Sequence, residues 1–195
     1  MTTHDHHSQK KTIDDALQFH GHMCPGLALG FRMAYAAMEA LDCSRADDEE
    51  LFAIVENDAC GVDALQVITG CTMGKGNLFF KNYGKMAFTI MKRNSGEAVR
   101  VAPSHEQNRR RTKSSMSPED RQAMVDWILS APAADVVAVQ RIVLEPHPYA
   151  RIRKSIDCTR CHEAVMESRI RLHAGDFVCI PCAEILEHQP QPTGR

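Results

Sequence analysis

Four cysteines near the end of the chain constrain it most. Cys158 and Cys161 are separated by two residues, as are Cys179 and Cys182, with seventeen residues between the pairs. A two-residue gap lets both thiolates of a pair face one ion. Two such knuckles supply the four sulfur ligands of a closed, tetrahedral structural Zn²⁺ site. Between them, Arg169–Val178 reads as a β-hairpin turning at Gly175, and Ala183–Glu187 as the start of a helix over the ion. That is the arrangement of a zinc ribbon or treble clef. Two disulfides or a redox pair are the competing reading, and His162 and His173 are weaker ligand candidates beside four thiolates. A module of about 40 residues builds little core, so its zinc mainly supports folding.

The 195 residues suit one ordinary domain plus such a module. Apolar residues make up 44% and charged residues 25%, the mix of a soluble folded protein. A net charge of −2 gives no global attraction to nucleic acid or an anionic membrane. The module carries seven basic and six acidic residues, so a nucleic-acid face along Arg151, Arg153 and Lys154 is not indicated. The best apolar run of the chain, Leu27–Leu41, is interrupted by Arg32 and Glu39 and falls short of the roughly 18 residues a spanning helix needs. The polar, His-rich Met1–Lys11 reads as a tail without the apolar core of a secretory signal, which leads us to expect a cytoplasmic protein with reduced thiols. The expected division is a tail over 1–12, a core domain over 13–148, a zinc-binding domain over 149–188 and a tail over 189–195.

Local patterns in the core mix helices and strands. Asp14 and Asp15 are expected to cap a short helix ending near Phe19. Pro25 suits the first position of the next helix, whose stripe of Leu27, Phe31, Ala34, Met38 and Leu41 faces a core. Leu51–Val55 reads as a strand and Val62–Thr69 as a helix stopped by Gly70. Strands follow at Leu78–Phe80, Met86–Arg93 and Ala98–Ala102, with a turn at Asn94-Ser95-Gly96. His105–Ser115 reads as a basic loop or exposed helix start. Ser117 caps a helix to about Leu129, with Asp120 completing the box, and Val136–Leu144 is the last core strand. Glu145–Pro148 marks the domain edge. The result is an α+β core with a mixed or antiparallel sheet.

The remaining thiols and imidazoles gather early in the chain. His20, His22 and Cys24 alternate around a Pro-Gly break, and Cys24 stands at a helix N-terminus, where backbone N–H groups favour thiolate. Cys60 follows a strand and precedes a helix, a second such place. His20, Cys24 and Cys60 therefore make a candidate site for a divalent ion, Zn²⁺ by preference, with His22 and Cys71 as further ligand candidates. Cys60, His22, Asp58 and Lys75 are the candidate catalytic groups. The alternatives stay open: Asp58 suits a helix cap equally well, Cys71 suits core packing, and Cys43 reads as an apolar filler. The loop Gly70–Gly76 lacks the spacing and the Ser or Thr of a nucleotide P-loop; with Lys75 it suits either an anion cradle or a plain turn. Arg109–Arg111 reads as a solvated face.

Three motifs in this order resemble the FmdE family: Phe19-His-Gly-His-Met-Cys-Pro-Gly-Leu-Ala, Glu56-Asn-Asp-Ala-Cys-Gly-Val-Asp-Ala-Leu-Gln and Gly70-Cys-Thr-Met-Gly-Lys-Gly-Asn. Its members are named for one of the subunits of molybdenum or tungsten formylmethanofuran dehydrogenase. The resemblance spans roughly Ile13–Glu187. It implies an α+β core joined to a zinc-finger-like domain, a homodimer, and a metal or reactive site built on His20, His22, Cys24 and Cys60, with Cys71 and Lys75 nearby. No ferredoxin-like cysteine run is present to hold an iron–sulfur cluster. Three functions follow as expectations. The first is a metal- or thiol-dependent enzyme acting on a small anionic or sulfur-containing molecule. The second is an accessory or metal-handling partner of molybdenum or tungsten oxidoreductase subunits, and the third a zinc-finger regulator that binds nucleic acid.

Overall fold

Thr12, not Asp14 or Asp15, starts the first helix in this computed structural model, which describes residues 10–110, 117–145 and 149–188. Helix α1 (Ile13–His20) opens on a capping box: the Asp15 carboxylate accepts from the Thr12 N–H at 2.7 Å, and Thr12 Oγ1 accepts from the Asp15 N–H. The two aspartates fall in the first turn instead, where they complement the helix dipole. The two tails, Arg111 and the Pro146–Pro148 edge all concern residues that lie wholly or partly outside the described ones. The chain divides into two compact units, Met1–Ala150 and Arg151–Arg195.

The long apolar stripe forms α2 (Pro25–Leu41), with Pro25 in its first turn and Cys24 as N-cap. Leu27, Ala34, Met38 and Leu41 are buried. Strand β1 (Leu51–Val55) and helix α3 (Gly61–Thr69) follow, the helix ending at Gly70 in the left-handed region, φ +77°. Next come β2 (Leu78–Phe80), β3 (Phe88–Lys92), β4 (Glu97–Pro103), α4 (His105–Arg110), α5 (Pro118–Ser130), the short α6 (Ala133–Val136) and β5 (Val137–Val143). The Ser117–Asp120 box caps α5. Arg32, the charge inside the apolar run, serves that helix too. Its guanidinium donates to the Ile128 carbonyl at 2.6 Å, to Leu129 at 2.9 Å and to Ala131 at 2.8 Å, satisfying carbonyls that α5 leaves open at its C-terminal end.

The sheet has the order β2-β1-β3-β4-β5. β1 and β2 run parallel, with α3 as their crossover, and the other pairs are antiparallel, so the sheet is mixed. Helices α2, α3 and α5 cover one face around Met33, Leu65, Phe88, Ile90, Val99 and Ile128. The expected last core strand is instead an edge: Val139 is 43% and Val143 83% exposed, so its β-branched content reflects strand preference rather than burial. Among the described residues no helix is long and apolar enough to cross a membrane.

Among its described residues the second unit has two hairpins, a 3-10 turn at Glu167–Arg169 between them and a helix. β6 (Ser155–Asp157) pairs with β7 (Ala164–Met166), and β8 (Arg171–His173) pairs with β9 (Asp176–Val178). The second hairpin turns through Ala174 and Gly175, both at positive φ. Helix α7 (Ile180–Glu187) begins three residues earlier than expected, so Cys179 is its N-cap and Cys182 lies in its first turn.

Candidate metal centres

In the second unit the four cysteine sulfurs lie within 4.8 Å of one another. The Cys161 and Cys179 sulfurs are 3.9 Å apart, against the edge of about 3.8 Å that a tetrahedron with 2.3 Å Zn–S bonds requires. Each knuckle is shaped by backbone donors. Cys158 Sγ accepts from the Cys179 N–H at 3.3 Å, and Cys179 Sγ from the Cys182 N–H at 3.4 Å. The first knuckle closes on a His162 N–H to Cys158 carbonyl bond of 2.8 Å, with His162 at φ +63°. Backbone N–H groups, foremost that of Cys161, then Cys179 and Arg160, pull the Cys158 thiol down to about 6. Four cysteine sulfurs this close together, two of them accepting backbone N–H groups, fit a divalent metal.

The first unit brings three helix ends together. His20 is the last residue of α1, Cys24 caps α2, and Cys60 caps α3. Gly21, at φ +91°, ends α1 and turns the chain, and the His22 ring lies against the His20 ring with centroids 4.5 Å apart and planes tilted by 36°. Ala16, Leu27 and Ala64 lock the three helices into one buried cluster. The approach of α2 to α3 depends on glycine: a Cβ on Gly30 would lie 2.3 Å from the Gly61 Cα.

The donor atoms of His20, His22 and Cys24 lie within 4.8 Å of one another. His20 Nδ1 faces Asp63 Oδ2 at 2.7 Å, and His20 Nε2 faces Cys24 Sγ at 4.0 Å. A carboxylate only accepts, so in the neutral ring the bond to Asp63 places the proton on Nδ1 and turns the Nε2 lone pair toward the sulfur. Cys24 Sγ accepts the Leu27 N–H at 3.3 Å, the same length as the N–H···S bond at Cys158. Two imidazoles and a thiol, one imidazole oriented by a carboxylate, fit a divalent ion.

His22 therefore completes the compact group where Cys60 was expected. Cys60 caps α3 without a side-chain cap bond. Burial foremost, and then the influence of Cys24, push the Cys60 thiol up. His20, Cys60, Asp58 and Asp63 line a cavity of about 350 Å³ with Val55, Val62, Met73, Leu78 and Phe80 among its walls. Asp58 is exposed, and Asn57 rather than Asp58 makes the local turn, accepting the Ala59 N–H at 3.0 Å.

Two candidates fall elsewhere. Lys75 is not among the residues lining this cavity, and its ammonium donates to the Asp47 carbonyl at 3.2 Å. The glycine loop is organised inward around the fully buried Asn77, which accepts the Thr72 N–H and donates to the Asp48 and Leu51 carbonyls. The Lys75 and Gly76 N–H groups are also taken, by Thr72 Oγ1 and the Met73 carbonyl, so these amides are not presented to an anion. Cys71 is fully buried in the apolar core, which pushes its thiol up to about 11. Its role is packing. We expect Cys71 to resist alkylation until the chain unfolds. The folded thiol holds its proton more tightly than an unfolded one. Its contribution is therefore complete below the unfolded pKa of about 8.5 and is lost as pH rises toward the folded value, on the order of 2–3 kcal/mol. Denaturation of the parent and of Cys71→Ala between pH 8 and 11 checks this: parallel stability curves would contradict it.

Asp63, which holds His20, is missing from the candidate residues read from the sequence. The signal was its place three residues after Cys60, in the first turn of a helix whose end faces the histidines.

The comparisons with known proteins agree with this fold. Residues 19–138 match the family described as FmdE, Molybdenum formylmethanofuran dehydrogenase operon, and the chain belongs to the FmdE family. A probable S-adenosyl-L-methionine-binding protein of Archaeoglobus fulgidus is 32% identical over 191 residues, covering 86% of this chain and 51% of that protein. The chain thus spans about half the length of this relative. The crystal structure of an FmdE-like protein from Syntrophus aciditrophicus, named for tungsten formylmethanofuran dehydrogenase, superposes with a TM-score of 0.63 at 23% identity. It covers 88% of this chain and 89% of that one, a likeness of fold.

Proposed function

We propose that the core unit is a metal-dependent enzyme domain acting on a small molecule, with zinc as the ion in both units. The observation that supports this most is the His20–Asp63 bond of 2.7 Å beside the compact His20, His22 and Cys24 donors. Metal-binding histidines are commonly oriented by such a carboxylate. Three protein donors rather than four also suit a catalytic site, which keeps a position open. When bound there, the metal supplies Lewis-acid polarisation and an acidified water. Asp63 fixes the His20 tautomer, Cys24 supplies the soft donor, and exposed Asp58 exchanges protons at the cavity rim. Among the described residues no Lys or Arg lines the cavity, while Asp58 and Asp63 do. That favours a neutral or cationic ligand over the anionic one expected from Lys75.

The test is metal content of the full chain and of Cys24→Ser. Serine is as good an N-cap as any residue, so the helix persists while the thiolate is lost. We expect the parent to hold two metal ions per chain and the variant one, with unchanged thermal stability without added metal. Equal metal in both would overturn the reading. A second reading, a non-catalytic accessory of a molybdenum or tungsten enzyme, draws on the family's description. Co-purification with a large redox protein and no turnover would favour it.

A further inference from the structure

We propose that the cavity beside His20 takes an amine, a ligand with an apolar body whose ammonium group is met by the Asp58 carboxylate. This deepens the small-molecule part of the reading above and rests on it, not on the identity of the ion. The walls select the body. Val55, Val62, Met73, Leu78 and Phe80 line the space of about 350 Å³, and Met73 and Phe80 keep 64% and 39% of their surface exposed. Apolar walls with a few placed polar groups are the usual form of a small-molecule site.

The polar groups select the head, because their donors are already spent. Asn57 gives its amide N–H groups to the Lys85 carbonyl at 2.6 Å and the Met86 sulfur at 3.4 Å, while its oxygen accepts the Ala59 N–H. Gln66 donates to one Asp63 oxygen at 3.5 Å, and His20 Nδ1 takes the other at 2.7 Å. The Cys60 thiol is only a weak donor. What remains for a ligand is acceptors, the Gln66 amide oxygen and the exposed Asp58 carboxylate, neither of them hydrogen-bonded among the described residues. Asp58 also stands outside the compact His20, His22 and Cys24 donors. Lys81, next to Phe80, holds its ammonium over the Tyr83 ring at 5.9 Å and does not line the cavity. An ammonium brings three donors and one positive charge, so it answers both acceptors; an alcohol brings one donor and no charge, and a carboxylate brings neither.

The probes are isoamylammonium, isoamyl alcohol and isovalerate, one apolar body with a cationic, a neutral and an anionic head. Each is titrated against the full zinc-loaded chain at low salt and about pH 7, where an alkylamine, like lysine, is protonated. Ligand-observed NMR reads the dissociation constants, and elemental mass spectrometry reads the metal in the same samples. We expect the amine to bind about fivefold tighter than the alcohol, the upper end of what an exposed ion pair gives, and isovalerate to bind most weakly. From ethyl- to butylammonium, affinity should rise roughly threefold per methylene. Asp58→Asn should erase the advantage of the amine without weakening the alcohol, and Asp58→Glu should restore it. Asn57, not Asp58, holds the local turn, so both variants should melt with the parent. Cys24→Ser should keep the preference; a preference lost there and kept in Asp58→Asn would put the amine nitrogen on the metal and overturn the proposal. Equal binding of amine and alcohol, tighter binding of isovalerate, no gain with chain length or no binding of any probe would overturn it too. Those results leave the metal content untouched. A parent chain with half the expected metal would overturn the metal reading, while the preference among heads is read independently.

Discussion

Stripping the metal from the second unit is expected to unfold Arg151–His188 while the core keeps its structure. The buried residues of this unit are Cys158, Val178, Cys179, Cys182 and Ala183, so most of its core consists of the ligands themselves. Ile152, Met166, Leu172, Phe177 and Ile185 are largely exposed and bury too little to offset the entropy of ordering the segment. A structural zinc contributes on the order of 10 kcal/mol to folding such a module. The measurement is amide hydrogen exchange with and without a chelator, repeated on Cys158→Ser. Protection should vanish at the N–H groups of Thr159, His162 and Cys179, which are hydrogen-bonded in the folded unit. Strands β1, β3 and β4 should stay protected. Retained protection in the chelated unit would show that the hairpins stand without metal.

What was legible in the sequence was what local rules decide. The α2 stripe, the Ser117–Asp120 box and strand β1 follow from periodicity and capping within a few residues. The two cysteine knuckles belong to the same class, because a two-residue gap is itself the geometry. What was hidden depends on partners far along the chain. Asp63 is 43 residues from His20. Arg32 reads as an interruption of an apolar face until the α5 carbonyls, 96 to 99 residues away, are placed over it. Lys75 and Cys71 share the glycine motif, yet one is turned to Asp47 and the other lies in the core. The motif is built around Asn77, whose side chain organises the loop it ends. The three-residue strands β6 and β7 carry too little pattern to stand out.

The convergence of helix ends that makes the core site possible rests on one close approach, and Gly30→Ala should break it. In an exposed helix this substitution stabilises by about 1 kcal/mol. At Gly30 the sign should reverse. The new Cβ would meet the Gly61 Cα at 2.3 Å and its carbonyl oxygen at 2.4 Å. Both are backbone atoms, so no rotamer change relieves the clash, and α2 and α3 must separate. Separation loosens the Ala16, Leu27 and Ala64 cluster that holds the three helices, and with it the His20–Asp63 bond. We expect a loss of about 3 kcal/mol, the upper part of the overpacking range, and a fall in melting temperature of roughly 10 °C. Gly26→Ala meets side-chain atoms at 3.3 Å and beyond, so it should cost less, and Gly74→Ala, with open space around it, should be near neutral. Thermal unfolding of the three variants orders them directly. A Gly30→Ala chain as stable as its parent would mean that the two helices have room to spare, and that their contact does not set the geometry of the site.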